Sequence, residues 1–458
     1  MKNFGLRIFQ AWSILFFCLQ AQGEETQPEP FRLATFNSDV TCPVGHPLLG
    51  GIYPSAVEIV DPLLARGFVL LSAEKPIVLC AIDWCEIRNR SYDHWRAALA
   101  KAVGTQYERV LVCCVHQHDA PLTDVGAAEL LADTGMRGVM FDLEFEQACI
   151  ERTARSAQNS LKDARRVTHL GIGKARVERI GSNRRVVHPD GSVHYDRTSI
   201  SGGDRFHRDA PDGLIDPWLR TLSFWDDDQP IATLHAYATH PMSYYGKGGV
   251  SFDFVGMARK LIQRDNPSIH HVYVSGCSGD VTAGKYNDGS ADRRPLLAKR
   301  LYDAMKRSFS TTEKHRLTQA ILRNADLDLP FRQSPDHTAE AMTRVLHDTT
   351  ASTRDRIFAA MGLASRSRVD HGQKIDFPCI DLGAAKILLF PGEAFVGYQL
   401  LAQRQARDSF VISIGYGECW PGYLPTRQGF ADKFSNVWYW VAPGSDRQIQ
   451  AAIEKVLP

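Results

Sequence analysis

Short, unbroken apolar runs alternate along this chain with longer stretches whose apolar residues recur at helical spacing. Ile77-Val-Leu-Cys-Ala-Ile-Asp83 predicts a strand, and the pattern from Ser91 to Val103 predicts a helix stopped by Gly104. Arg109 to Val115 reads as the next strand. Leu143 to Ala164 reads as a helix with Ile150, Ala154, Ala157 and Leu161 on one face. Further strands are expected at 231–237, 271–274, 387–390 and 410–414, and helices at 294–309 and 446–457. This order describes an α/β protein. The Gly/Asp-rich stretch 181–216 lacks apolar periodicity and predicts long loops, which a chain of this size places where they build a site. The stretch 310–370 is polar and largely helical in pattern, as an insertion or lid would be. Without an internal repeat or low-complexity linker, the pattern favours one large domain.

Composition changes this picture little. Lysine plus arginine (53) balances aspartate plus glutamate (52) in 458 residues, which gives no electrostatic reason to expect nucleic acid as a partner. The N-terminus reads as a signal peptide. Lys2 and Arg7 precede the apolar run 11–19, and Ala21-Gln-Gly23 offers small residues for cleavage. The expected division is therefore a signal peptide over 1–23 and a folded domain over 24–458, exported to a periplasm or beyond the cell. No later run is apolar and long enough for a transmembrane span. Nine cysteines remain after Cys18, with no CxxC pair. Cys80 with Cys85, or Cys42 with a distant partner, are open as disulfides. Buried reduced thiols are the plainer reading for Cys80, Cys113 and Cys114.

Candidate chemistry begins at Val112-Cys-Cys-Val-His-Gln-His-Asp-Ala-Pro121. On a strand, residues two apart share a face about 6.6 Å apart, so His116 and His118 point together. Cys114 shares that face but lies about 13 Å from His118, too far for one tetrahedral ion. Pro121 stops the strand and leaves the histidines at its end, where α/β folds carry their sites. Ile231–Pro241 repeats the design. By parity His235 and His240 face opposite sides, and His240, at the loop junction, is the better ligand candidate. Lys386–Glu393 delivers a carboxylate after a third strand. Each piece has a plain alternative: histidines hydrogen-bonded at a loop edge, or Glu393 as the first-turn acid of a helix. Two histidines, a glutamate and an open position would describe a catalytic zinc site. The remaining histidine of the pair would then be free as a general acid or base.

These segments, in this order, resemble the catalytic domain of the neutral/alkaline (non-lysosomal) ceramidases, zinc amidases that cleave the N-acyl bond of ceramide. Asp39-Val-Thr-Cys-Pro-Val-Gly45 is similar to that family's opening Asp-Ile-Thr-Pro-Pro-x-Gly turn, and His116-Gln-His118-Asp-Ala-Pro121 to its His-Thr-His-x-x-Pro. Ser182–Arg185, Asp216-Pro217, Ala238–His240, Gly276–Asp280, Pro391–Glu393 and Gly422–Thr426 continue the likeness over most of the mature chain. The resemblance implies a layered α/β domain with central sheets flanked by helices. It also implies zinc held by His116, His240, Glu393 and Tyr423, with His118 as the acid/base and Arg184 at the reacting carbonyl. The substrate would be a small-molecule or lipid amide, reached at a membrane surface if it is a lipid, and cleaved by zinc-activated water.

Two departures qualify it. The family has a second tyrosine, about a dozen residues after the ligand tyrosine, that polarises the carbonyl. Here Phe430, Phe434 and Ser435 follow Tyr423, and the next phenol is Tyr439. The larger ceramidases also carry a C-terminal immunoglobulin-like domain, which is not expected here. Alternatives are a zinc hydrolase of an ester or N-acyl sugar, and a metal-stabilised binding protein that has lost catalysis. His118 separates the last, since a pure binder has no need of it. An amidohydrolase-type barrel fits the strand before His116 poorly. Gly276-Cys-Ser-Gly-Asp280 lacks the final glycine of a nucleophile elbow and reads as a tight turn lining the site. Asp253 is open as a support for a histidine or as a solvated loop residue.

Overall fold

The computed structural model describes Met1, residues 31–72 and residues 74–457. The expected signal peptide falls, apart from Met1, outside the described residues. Among them no helix is long and apolar enough to cross a membrane.

Three sheets organise the protein. The first orders Val110–Cys114, Ile77–Ile82, Leu64–Leu71, Arg32–Asp39 and Arg165–Arg166. The second orders His270–Ser275, Gln229–Tyr237, Trp218–Asp226, His169–Arg176 and Glu313–Arg316. The third orders Ile321–Leu327, Ile375–Asp381, Ala385–Leu389 and Phe410–Ile414. Each is antiparallel except for one pair: Ile77–Ile82 with Val110–Cys114, Gln229–Tyr237 with His270–Ser275, and Ala385–Leu389 with Phe410–Ile414. These parallel strands are buried on both faces, which is why they read as continuous apolar runs.

One core joins the three sheets through Leu79 and Leu111, Leu222 and Leu234, and Ile387 and Ile412. Burying each such side chain contributes about 1.5–3 kcal/mol. Helices Asn89–Val103 and Leu143–Ser160 cover the outer face of the first sheet through Trp95, Leu99, Ile150 and Ala157. Gly104, at φ +70°, ends the first of these as expected, and Asp142 caps the second by accepting from the Glu144 and Phe145 amides. Asp253–Asp265 and Arg293–Ser310 pack with the second sheet. Val125–Asp133, Ala339–His347, Thr353–Asp370 and Ser445–Val456 share a further core with the third sheet. The α/β class with central sheets flanked by helices is therefore the observed architecture.

Several expectations change. The 310–370 stretch is not a detached lid: it supplies an edge strand to each of two sheets, at 313–316 and 321–327, before its helices begin. Among the described residues all nine cysteines are free and buried, so neither suggested disulfide forms. The strand at 110–114 stops before the histidines, because His116 turns into left-handed backbone at φ +76°. Strand parity therefore does not pair His116 with His118; that turn does.

Candidate active site

The three parallel pairs send their C-terminal ends to one place. Main-chain bonds tie the sheets there, from Cys114 N to Tyr416 O (2.9 Å) and from Gly415 N to Ser275 O (2.9 Å). The six ends lead into Asp83–Glu86, His116, His240, Ser278, Glu393 and the Tyr416–Tyr423 loop. Crevices beyond the carboxyl ends of parallel strands are where open α/β sheets bind ligands.

His116, His240 and Glu393 converge. His240 Nε2 lies 2.9 Å from Glu393 Oε2, and His116 Nε2 lies 3.5 Å from the same oxygen. All three side chains are almost fully buried. The opposite ring nitrogens face main-chain carbonyls: His116 Nδ1 at 2.9 Å from Cys85 O, and His240 Nδ1 at 2.7 Å from Ser278 O. A carbonyl only accepts, so each Nδ1 carries the proton and each Nε2 presents a lone pair. Two lone pairs and a carboxylate then face one another in a buried space, and His116 Nε2 has no hydrogen-bond partner. Donors about 2.0–2.1 Å from a tetrahedral ion stand roughly 3.3 Å apart, so the cluster has the dimensions of a cation site.

Local backbone explains the convergence. Gly392, at φ +51°, lies against the Gly422 backbone, so Glu393 pairs in parallel with Tyr423. At Gly279 a Cβ would stand 2.1 Å from the Glu393 carbonyl, which restricts the Gly276–Asp280 turn to glycine there. His116 and Tyr416 both hold positive φ and stack on each other at 4.1 Å. Such strain costs about 1–3 kcal/mol per residue and concentrates at functional sites. Below them Asp83 takes both guanidinium bonds of Arg259 (2.7 and 2.6 Å) and a 3.2 Å bond from Gln117, fixing the residue between the two histidines.

A rival trio, Cys85, His116 and His118, also clusters. It would need the Cys85 thiolate and the Nδ1 of His116. Burial, reinforced by Glu86 and Glu393, pushes the Cys85 thiol well up, and that Nδ1 is engaged by the Cys85 carbonyl. His116, His240 and Glu393 are the better donor set.

Burial lowers the pKa of His240 to about 4, with Arg184 adding to the effect and Glu393 opposing it. Burial raises the Glu393 pKa, but His116 and His240 more than reverse this and hold the carboxyl well below its usual range. His118 is partly exposed, 5.1 Å ring to ring from His116, with neither ring nitrogen bonded. Burial, then His116 and His240, push its pKa well below the ordinary value, so it is neutral at pH 7. Tyr423 borders Glu393, and burial followed by that carboxylate pushes its phenol well up. Arg185 is taken by Asp432 at 2.6 Å. Arg184 is not. Burial works against its charge, yet Tyr423 and Glu393 beside it raise its pKa.

The architecture is known elsewhere. Neutral ceramidase from Pseudomonas aeruginosa superposes with a TM-score of 0.68 at 18% identity, over 93% of this chain and 74% of that one. A ceramidase complexed with C2 gives 0.69 at 16% identity, over 93% and 75%. The chain has a neutral-ceramidase-like fold. No family model matches it, nor does any curated protein sequence.

Within this ceramidase-like frame, Tyr439 does not turn toward the histidines. It packs on Phe430 and Phe434 with Arg332 over its ring at 4.8 Å, and Phe434 stands against both Tyr439 and Tyr423. The phenol nearest His118 is instead Tyr245, ring to ring at 5.7 Å, with its hydroxyl 2.5 Å from Ser199. Sequence reasoning missed it, although it follows His240 in Pro-Met-Ser-Tyr-Tyr245. Missed too was Tyr416, whose only sequence signal is its flanking glycines. Asp253 meets neither expectation: it is buried, bonds Ser243 and the Phe254 amide, and stands 3.8 Å from Arg294 rather than by a histidine or in solvent.

Proposed function

We propose that this protein is a zinc-dependent hydrolase of amide bonds, with an N-acyl lipid of the ceramide type as its substrate class. The carrying observation is that two imidazoles, each tied through Nδ1 to a main-chain carbonyl, aim Nε2 at one oxygen of Glu393. His116, His240, Glu393 and Tyr423 would hold the ion. When bound, zinc lowers the pKa of a water and polarises a carbonyl.

The remaining steps belong to the chain. His118, neutral and with both ring nitrogens unbonded, takes the attacking water's proton and passes it to the leaving amine nitrogen. Arg184 holds its charge beside Tyr423 and Glu393, where it meets the negative charge developing on the carbonyl oxygen. With Phe434 in place of a phenol and Tyr439 packed behind it, Tyr245, whose ring lies 5.7 Å from that of His118, would supply the hydroxyl to that oxygen. The hydrolase is read as residues 24–458, exported after removal of residues 1–23.

Metal analysis of the purified protein, combined with a panel of N-acyl substrates, tests this reading. Zinc that His240→Ala releases, together with turnover of an N-acyl lipid, supports it. A protein that keeps all its zinc in His116→Ala and His240→Ala overturns it.

A further inference from the structure

A second cluster lies in the loop region 181–216. His188 Nε2 stands 2.8 Å from Asp196 Oδ2, and His207 Nε2 stands 3.2 Å from Asp196 Oδ1. One carboxylate thus faces two imidazoles, all three ligand atoms within 4.8 Å of one another. The elements that bring them together are the hairpin Val186–Val187 with Val193–His194, and the short helix Arg205–Asp209.

The His207 ring is fixed from behind. Asp204 accepts both the His207 amide and its Nδ1, each at 2.8 Å on the same oxygen. A carboxylate only accepts, so Nδ1 carries a proton, and Nε2 is a bare lone pair wherever it does not carry a second one. That lone pair faces Asp196 Oδ1, itself an acceptor. Both atoms are buried and neither has a hydrogen bond. Two acceptors at 3.2 Å repel unless a metal ion or a shared proton sits between them. The separation is close to the roughly 3.3 Å between donors of a tetrahedral ion, and a carboxylate orienting a ligating histidine from its far nitrogen is the usual support of such sites.

We propose that His188, Asp196 and His207 form a second metal site, taking a divalent first-row ion of the zinc class. Two imidazoles and a carboxylate suit zinc better than calcium or magnesium, which want oxygen ligands. The side chains keep 27%, 39% and 18% of their exposure, which leaves room for water as a further ligand. The site joins the hairpin to the helix within the loop that carries Arg184 ahead of it and, beside Asp196, Tyr195, whose hydroxyl donates to Asp432 at 3.0 Å. Its role is to clamp that loop, not to react.

The test counts zinc in dialysed full-length protein by elemental analysis, with circular dichroism as the check on folding. The wild type should hold two equivalents, His207→Gln one, His240→Ala one and the double variant none. If the first site were misread, His207→Gln would instead empty the protein while His240→Ala kept its ion. Retention of the wild-type zinc count by folded His207→Gln overturns the second site, since a proton shared between imidazole and carboxylate then suffices. His188→Gln is measured in parallel and read in the same way. Extended X-ray absorption of His240→Ala should show a shell of nitrogen and oxygen only, and a sulfur shell overturns the assignment.

Discussion

His235 and His240 sit on and just beyond one strand, equally buried, yet they face opposite fates. His235 lies mid-strand under helix Arg293–Ser310. Its Nδ1 and Nε2 meet the hydroxyls of Thr221 (2.9 Å) and Thr233 (3.0 Å), and it stacks flat on His271 at 5.4 Å. Ser308 of the helix donates to Thr221 and closes the network. Hydroxyls both donate and accept, so both ring nitrogens of His235 are satisfied. His240 lies past the strand's end, among a carbonyl and a carboxylate that only accept. Burial lowers the pKa of both, so neither burial nor titration separates a structural histidine from a proposed ligand. Their partners do.

The sharpest way to break that comparison is to remove each ring. His240→Ala should lose the metal and about 1000-fold or more in activity, since several kcal/mol of charge stabilisation go with the ion. Replacing His235 with glutamine should keep metal and turnover per folded molecule, and cost about 1–3 kcal/mol of stability by disturbing the threonine hydroxyls. Zinc loss in His235→Gln would erase the distinction.

Within the site, His118→Ala should retain zinc and lose about 100-fold or more in turnover, the effect of a general acid/base. If zinc leaves with His118 but stays without His116, the two roles are reversed. A smaller split is expected between the phenols. Tyr245→Phe should slow amide cleavage by about 10- to 100-fold, at or below the usual worth of an oxyanion donor, while Tyr439→Phe barely changes it. The reverse result would show that Tyr439 reaches the carbonyl after all. Because amides resist attack more than activated esters, the Tyr245→Phe loss should be larger on amides.

The smallest effect is in pH. Burial, with His271 adding to it, pushes His235 well below its ordinary value, and burial first, then Arg66, takes His271 to about 3. These rings stay neutral when folded but protonate when unfolded below about pH 6.5. The unfolded state then binds more protons, so stability falls as pH drops, by up to about 1.4 kcal/mol per unit for each ring. Urea unfolding at pH 7 and pH 5 should show a shallower loss for His235→Gln than for the wild type. Equal slopes would mean that the pair is already protonated in the folded protein.

Much of this was legible in the chain. Strands buried on both faces, such as Phe410–Ile414, stand out as apolar runs, and a histidine or glutamate after such a run marks the site's corners. Strands broken by polar residues did not stand out. Leu64–Leu71 contains Arg66, whose guanidinium meets Gln263 and His270 from remote parts of the chain. Trp218–Asp226 carries Thr221 and Ser223, buried under a helix by partners no local pattern reveals. Tyr416 and Tyr245 escaped for the same reason: each reaches the site only because strand ends from different sheets meet. The turn at His116 was invisible as well, since its positive φ is imposed by the packing of Trp84 and Tyr416 around it.

His116, His240 and Glu393 are proposed to hold a metal through atoms already arranged for it. Anomalous scattering at the zinc edge from crystals of the wild type tests this most directly. A peak is expected about 2.0–2.2 Å from Nε2 of His116, Nε2 of His240 and a Glu393 oxygen. A peak held instead by Cys85, His116 Nδ1 and His118, or no peak in this cluster at all, would contradict it.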